Sequence, residues 1–376
     1  MSNMITGANS SLHLFEPQEG VERRFEVPVN FPPAEMNVLL LYDFNPHWTS
    51  SEKEEVAEAH SRLTDALASA GYCIDLLPVV DQHFPQRLGS YDSKECVLFN
   101  WCDGIPGLHQ SEWMVVRQLE QMGFVFTGSG SATLSLSYDK YRVKEALDRG
   151  GVTTPRWRLY KTSQENGWHD FPAIVKPAFG HCSEWLTSES VAMNEKELHD
   201  RISYLIDKVG LPALVEDFID GREFHVSLWG NGRVEMLPPA EMDFSAFSDV
   251  HDRLCTYGAK FIPDSVHYQN IRTVLPSTLN EAELDELERV SMAAYKAIGC
   301  RDYGRIDLRL RDGVFYVLDI NPNPDISEDA SMASCAEHAG YSHGDMAGYL
   351  IKLAAKRHPV FGRKTAQHPI EPRAVN

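Results

Sequence analysis

The chain has 376 residues, 43% of them hydrophobic and 24% charged, and a formal net charge of −19. That acidity argues against nucleic acid or an anionic membrane as the main partner, while leaving room for a locally basic cleft that holds a nucleotide. The length fits roughly two or three domains, no apolar run reaches spanning length, no basic-then-apolar leader opens the chain, and the cysteines contain no CxxC pair, so a cytoplasmic protein without zinc site or disulfide framework is expected.

Residues 1–35 are polar and proline-bearing and read as a tail, or a strap lying on the first domain. Val38–Tyr42 is a short apolar strand. A helix follows over 50–70, started by Ser51 with Glu54 three residues on and stopped at Gly71. Ile74–Val80, Val97–Asn100 and Phe124–Thr127 read as further strands and 111–122 as a helix. Strands alternating with helices argue for an open, mostly parallel sheet. Gly128-Ser-Gly-Ser-Ala-Thr lacks the third glycine of a dinucleotide fingerprint and no GxxxxGK[ST] occurs, which disfavours Rossmann and Walker-type sites. Asp139-Lys140 opens a helix that ends at Gly150-Gly151.

A compact α+β region over 156–237 comes next. Ala173–Lys176 is a buried-type strand ending in Lys-Pro before the loop AFGHCSEWL. A lysine at such a strand end reaches phosphates while the loop's N–H groups cover them. Asn194 with Glu197 starts another helix, ended by Gly210. Pro212–Phe218 and 221–232 read as two strands joined by a short turn, and 238–280 as irregular. Asn280 with Glu283 starts an amphipathic helix that runs to Ile298. Helical segments are expected near 331–339 and 345–356, and a loose tail over 357–376.

Between them lies Cys300–Ser327. Ile306, Leu308 and Leu310 alternate with Arg305, Asp307 and Arg309, as in a half-buried strand. Asp312-Gly313 signals a turn, and on the second strand, Phe315–Asn321, Asp319 and Asn321 share a face. A three-residue loop, Arg311–Gly313 with Gly313 left-handed, pairs Asp307 with Val317 and Arg305 with Asp319. Asp307, Asp319 and Asn321 then lie on one face with Arg305 beside them, a hard-oxygen donor set suited to Mg²⁺ bridging nucleotide phosphates. A two-residue turn would put the aspartates on opposite faces, and an exposed hairpin with a charged outer face is the plain alternative. Asn-Pro-Asn-Pro directly after the strand favours the metal site, because two prolines fix the exit path without donating to a ladder.

In chain order stand Asp139-Lys140, VKPA (175–178) with a following glycine, VEDF with GREF (215–224), Ala259-Lys260, and GRIDLR with LDINPNP (304–324). Each motif alone is weak. Five in this order resemble the ATP-grasp ligases, and most closely the D-alanine–D-alanine ligase group, over residues 96–356. The resemblance implies an α/β ATP-grasp fold: an N-terminal open parallel-sheet domain over 36–138, a central lobe over 139–237 and a C-terminal lobe with the metal site over 238–356. It implies ATP contacts from Lys140, Lys176, Glu216, Phe218, Glu223 and Lys260, the last on a mobile segment closing over the phosphates. Mg²⁺, or Mn²⁺ in its place, falls to Asp307, Asp319 and Asn321, and oxyanion stabilisation to Arg305. Glu112, His181, Ser183 and Asn323 fall on the side of the amino-acid substrates. On residues alone, Lys140 also reads as a solvated helix lysine, Glu216 as a strand-edge carboxylate and 257–261 as a surface loop.

The implied reaction forms a peptide bond between amino acids, or an amino acid and a small peptide, through an acylphosphate, releasing ADP and phosphate; a homodimer is one arrangement open to it. An ATP-grasp kinase and a nucleotide-binding regulatory protein are the rivals. The metal ligands argue against the second, and Arg305 with Asn323 against the first. Several positions depart from the D-alanine enzymes: the Gly-Gly-x-Ser-x-Glu start is absent, His181-Cys182 stand where paired serines are usual, Phe261 follows Lys260 in place of tyrosine, and Asp319 replaces glutamate. An altered substrate is expected.

Overall fold

In the computed structural model, which describes residues 36–362, the first sheet consists of β1 (Asn37–Asp43), β2 (Cys73–Val79) and β3 (Cys96–Trp101). All pairings are parallel, in the order β2-β1-β3. β1 is central, and its run Leu39-Leu40-Leu41 is buried on both faces, as parallel strands are. The expected strand Phe124–Thr127 contributes only an isolated parallel bridge, Leu98 to Phe126. Helix α1 (Ser50–Ser69) starts where the sequence reading has it, but its capping pair lies two residues earlier. Thr49 is the cap: its hydroxyl accepts from the Glu52 N–H at 3.3 Å while the Glu52 carboxylate accepts from the Thr49 N–H at 2.7 Å. Ser51 and Glu54 lie inside the helix. Helices α2 (Phe84–Leu88), α3 (Glu112–Gln121) and α4 (Ser131–Ser137) complete this part.

After α5 (Lys140–Arg149, capped by Asp139), a four-stranded antiparallel sheet forms from β4 (Trp157–Tyr160), β5 (Ala173–Pro177), β6 (Val191–Ala192) and β7 (Ala213–Asp217), with α6 (Glu195–Ser203) against it. The third sheet is built on β8 (Arg222–Asn231), with β9 (Arg233–Met236), β10 (Ala240–Asp243), α7 (Tyr257–Phe261), α8 (Val266–Asn270), β11 (Arg272–Val274), α9 (Glu281–Ala297), β12 (Asp302–Arg311) and β13 (Val314–Asn321) following. Two sequence expectations change here. β7 and β8 are not a hairpin: β7 pairs with β4 and β5, whereas β8 pairs with β12, so 218–221 crosses between sheets. The stretch 238–280 holds two strands, two short α-helices and a 3-10 turn (Val250–Asp252), each too brief to show a period.

The chain then returns to its beginning. Helices α10 (Ser331–His338) and α11 (His343–Ala355) close the fold, and α11 lies against α1 and β3. Its apolar stripe, Met346, Ala347, Leu350, Ile351, Ala354, has helical spacing and joins one core with Val38, Leu40, Val97 and Phe99 of the first sheet. Arg357–Gly362 is no loose tail. The Arg357 guanidinium donates to Asp302 at 2.7 Å and to the Phe126 carbonyl at 2.7 Å, and His358 and Phe361 are buried. Asp302 also accepts from the Gly128 N–H at 3.0 Å. The Gly-Ser-Gly-Ser run therefore serves as a junction; Gly128 has φ +90°, and a Cβ there would meet the Tyr303 ring at 3.2 Å. The expectations for 1–35 and 363–376 lie outside the described residues.

Candidate active site

The β12–β13 hairpin differs from the sequence reading in a way that decides the site. Arg311 pairs with Val314, so the loop is the two-residue Asp312-Gly313, both left-handed at φ 53° and 76°. That turn alone would separate the aspartates. A bulge intervenes: Leu308 pairs with Val317 but Asp307 pairs with Asp319, which leaves Leu318 as the extra residue. The slip of one residue returns Asp319 to the face of Asp307, and Arg305 stands opposite Asn321. The predicted grouping therefore holds by a different register. Arg305 grips both Asp307 oxygens at 2.8 and 3.0 Å. Burial raises the Asp307 carboxyl, but Arg305 and His225 outweigh it and hold Asp307 well below the usual range.

The lysines come from three different elements. Lys140 opens α5 and donates to the Gly180 carbonyl; Lys176 stands one residue before the end of β5; Lys260 sits on α7. All three line a narrow cleft of about 100 Å³ together with Glu216, Phe218, Glu223, Asp307 and Asp319. Glu216 is 1% exposed and accepts from Lys176 at 3.1 Å, with Lys144 at 3.4 Å. Lys144 was not among the residues singled out by sequence. It lies one turn after Lys140 on α5, is 2% exposed, and also donates to Thr154 at 2.5 Å and the Val317 carbonyl at 3.3 Å. Its i,i+4 spacing from Lys140 is the signal that could have found it. Glu223 has its own cation, Arg309, at 2.7 Å; burial raises this carboxyl, but Arg309 and His225 bring it down to about 2. Arg309 also donates to the Ile219 carbonyl at 2.8 Å and lies over the Phe218 ring, pinning the crossing between sheets. It too was unmarked, because alternation reads it as an outward-facing charge.

A wider cavity of about 760 Å³ adjoins the cleft and shares His181, Ser183, Lys260 and Asp319 with it. Arg305, Asn321, Asn323 and Glu112 line it, so every residue named from the sequence falls on one or both spaces. Glu112 accepts from the Asn323 amide at 2.5 Å, and Tyr303 donates to the same amide's oxygen. Burial pushes the Glu112 carboxyl up to about 8. His181 bonds Ser137 at 3.1 Å and stacks edge-on with Tyr138, while burial and then Lys140 lower its pKa to about 4, so it is neutral. The loop carrying it is tight: Cys182, Ser183 and Trp185 all have φ near +60°, a conformation that costs non-glycine residues on the order of 1 kcal/mol each. Ser183 ties that loop to the segment before α7 through the Cys255 carbonyl at 3.1 Å. Two carboxylates and an amide oxygen on one sheet face fit a small hard cation.

A family model described as "D-ala D-ala ligase C-terminus" matches residues 148–352. An uncharacterised protein of Sinorhizobium fredii, y4sG, is 32% identical over 265 residues, 70% of this chain and 75% of that one. The D-alanine–D-alanine ligase of Pseudothermotoga lettingae is 26% identical over 308 residues, 82% of this chain and 97% of its own. Among solved structures, the D-alanine–D-alanine ligase of Bacillus anthracis complexed with ATP superposes with a TM-score of 0.64 at 18% identity, over 88% of this chain and 99% of that one. No helix among the described residues is long and apolar enough to cross a membrane. The chain belongs to the D-alanine–D-alanine ligase family and has the ATP-grasp fold, which makes it an ATP-dependent ligase that forms C–N bonds.

Proposed function

We propose that the protein joins two amino acids, or an amino acid and a short peptide, through an acylphosphate, and that D-alanine is a poor first substrate. The observation that carries the reading is the meeting of Lys140, Lys176 and Lys260 with Asp307, Asp319 and Arg305 at one cleft. The carboxylate of the first substrate attacks the γ-phosphorus of ATP and the bond to the β-phosphate oxygen breaks, releasing ADP. The amine of the second substrate then attacks the carbonyl carbon, the C–N bond forms, and phosphate leaves as the amine sheds its proton.

In this reading the three lysines hold the phosphates, Glu216 and the 218–221 crossing face the adenine, and Glu223 takes the ribose. Arg305 offers its guanidinium to the oxyanion of the tetrahedral intermediate, oriented by its grip on Asp307. Asp307, Asp319 and Asn321 would hold Mg²⁺, with Mn²⁺ as a substitute. The ion would neutralise charge on the phosphoryl oxygens. His181 and Cys182 are not arranged as a nucleophile pair: His181 is engaged by Ser137, and burial raises the Cys182 thiol.

The substrate departure rests on the amino-acid side, where His181 and Cys182 stand in place of hydroxyls and the first strand, ending at Asp43, runs into Phe44-Asn45. A site that has lost the partners of a small zwitterion discriminates strongly against it, by roughly 10⁴-fold in favourable cases. The test is a panel of amino acids with ATP and Mg²⁺, reading phosphate release and product mass. With a carboxylate-¹⁸O substrate, label should pass to inorganic phosphate. Appearance of AMP and pyrophosphate, or efficient D-alanyl-D-alanine synthesis at low substrate, would overturn the mechanism or the substrate reading respectively.

A further inference from the structure

The wide cavity runs past the phosphate end to the carboxyl ends of β1 and β3. In the order β2-β1-β3 the chain switches sides of β1 there, at the crevice where open parallel sheets hold ligands. β1 ends in Asp43 and β3 in Trp101, two residues before Asp103. The charges acting on Asp103 are those of Asp43, Glu112 and Asp325, all acidic. Burial and then these neighbours push the Asp103 carboxyl up, and burial raises Asp43 to about 6. Of the cations on the cavity wall, Arg305 is committed to Asp307 and Arg62 to Glu328 at 3.3 Å, while Lys260 stands at the phosphate end shared with the narrow cleft.

A second observation lies at the same end. His60 lines the cavity and is 8% exposed, yet its ring has no hydrogen-bond partner among the described residues. It is clamped 4.0 Å from the Tyr42 ring and 5.2 Å from Trp101, and Trp48 lines the same wall. Burial lowers its pKa to about 4, so it offers a neutral acceptor nitrogen. Asp43 accepts from the Asp103 N–H at 3.2 Å, and neither carboxylate has a cation beside it among the described residues. Aromatic faces, an unused acceptor and such carboxylates are the chemistry that receives a cation. A volume of about 760 Å³ also exceeds what two alanine-sized amino acids would use and is in the range for much larger ligands.

We propose that this end of the cavity is a subsite for a side-chain cation, so that one of the two joined substrates is a basic amino acid, bearing an ammonium or guanidinium at the far end of its side chain. The proposal rests on the ligase reading above and names its substrate class. The positive group would sit against the Trp101 face, donate to Asp43, Asp103 and the free His60 nitrogen, and relieve the repulsion among the carboxylates. A small apolar side chain would leave these groups unused, and an acidic one would be repelled.

The experiment is calorimetric titration of the protein, loaded with Mg²⁺ and a non-hydrolysable ATP analogue, with lysine, ornithine and arginine of both hands against norleucine, citrulline and alanine. At least one basic amino acid should bind more tightly than its neutral isostere by about tenfold or more, the low end for a charge-assisted contact. Asp43→Asn and Asp103→Asn should each erase most of that preference, with retained affinity for the ATP analogue reporting that the variants are folded. Equal binding of neutral isosteres, no binding of any basic amino acid, or a preference that survives both substitutions overturns the proposal. So does Mg²⁺ binding that weakens in Asp103→Asn while no amino-acid preference exists, which would assign the carboxylates to a metal. Phosphate release judges the ligase reading separately. A basic preference without phosphate release would sink that reading and leave the subsite, and phosphate release with neutral amino acids alone would do the reverse.

Discussion

Glu216, fully enclosed between Lys144 and Lys176, makes two lysines of the same cleft behave differently. Lys144 is buried, so Lys144→Met should destabilise the fold by about 3 kcal/mol, the cost of removing one partner from a buried ion-pair network, read by urea unfolding. Lys176 faces the cleft, and Lys176→Ala should instead weaken ATP by roughly 1.5–3 kcal/mol, the worth of a charge-assisted bond. Unchanged ATP affinity in that folded variant would remove its phosphate role. Asp319→Asn should keep most nucleotide affinity but lose turnover by several kcal/mol of transition-state stabilisation, whereas Asp319→Glu should retain substantial activity; turnover across a Mg²⁺ titration separates them. Glu112 supplies a pH signature. Its folded pKa, about 8, lies above the ordinary carboxyl value, so its contribution to stability is present below about pH 4.5 and is lost as pH rises to 8. Glu112→Gln should flatten that decline, by up to about 4 kcal/mol at pH 8, in melting temperatures measured across the range. At this scale the sequence is partly legible. Motif order exposes Lys140, Lys176 and Asp307; the i,i+4 spacing ties Lys144 to Lys140 but also describes a solvated face, and nothing in a string of residues marks Arg309 as buried.

Among the elements, the β12–β13 hairpin carries the most information about what a sequence conceals. Alternation and the Asp-Gly turn are plain in it, and both assign the hairpin correctly. The register is not plain, because a bulge costs one residue and leaves no compositional mark: Leu318 looks like any other strand leucine. Turn length and bulge compensate, which is how a wrong loop and a right grouping of Asp307, Asp319 and Asn321 coincide. The bulge, not the turn, then brings the candidate metal ligands to one face. Gly313→Val, at φ +76° with open space around it, should therefore cost about 1 kcal/mol of stability through backbone strain while leaving turnover near normal. A large loss of turnover in that folded variant would show that the turn sets the register after all. The β7–β8 misreading has a similar source. A short polar connection after a strand resembles a hairpin loop, and only the pairing of β8 with β12 reveals that 218–221 passes from one sheet to the next.

At the scale of the whole molecule, the three sheets follow the element order of the sequence, while their joining does not. The alternation of strands and helices makes the first sheet legible, but which helix covers it is a long-range fact. Asp302, 0% exposed, holds Arg357 from the end of the described chain and the Gly128 N–H from the end of the first sheet's region. Arg357→Ala should strand that carboxylate and lower stability by about 3–5 kcal/mol, visible as an earlier unfolding midpoint in urea; a loss under 1 kcal/mol would mean that water replaces the guanidinium. The docking of α11 on β3 and α1 has a consequence for synthesis. During translation the first sheet emerges with one apolar face only partly covered by α1, and the helix that completes the cover lies roughly 240 residues later. At ribosomal speed that wait is roughly 12–48 s. For that interval Val38, Leu40, Val97 and Phe99 form a nascent apolar surface that a chaperone, or collapse of what is already made, would have to shield until α11 arrives.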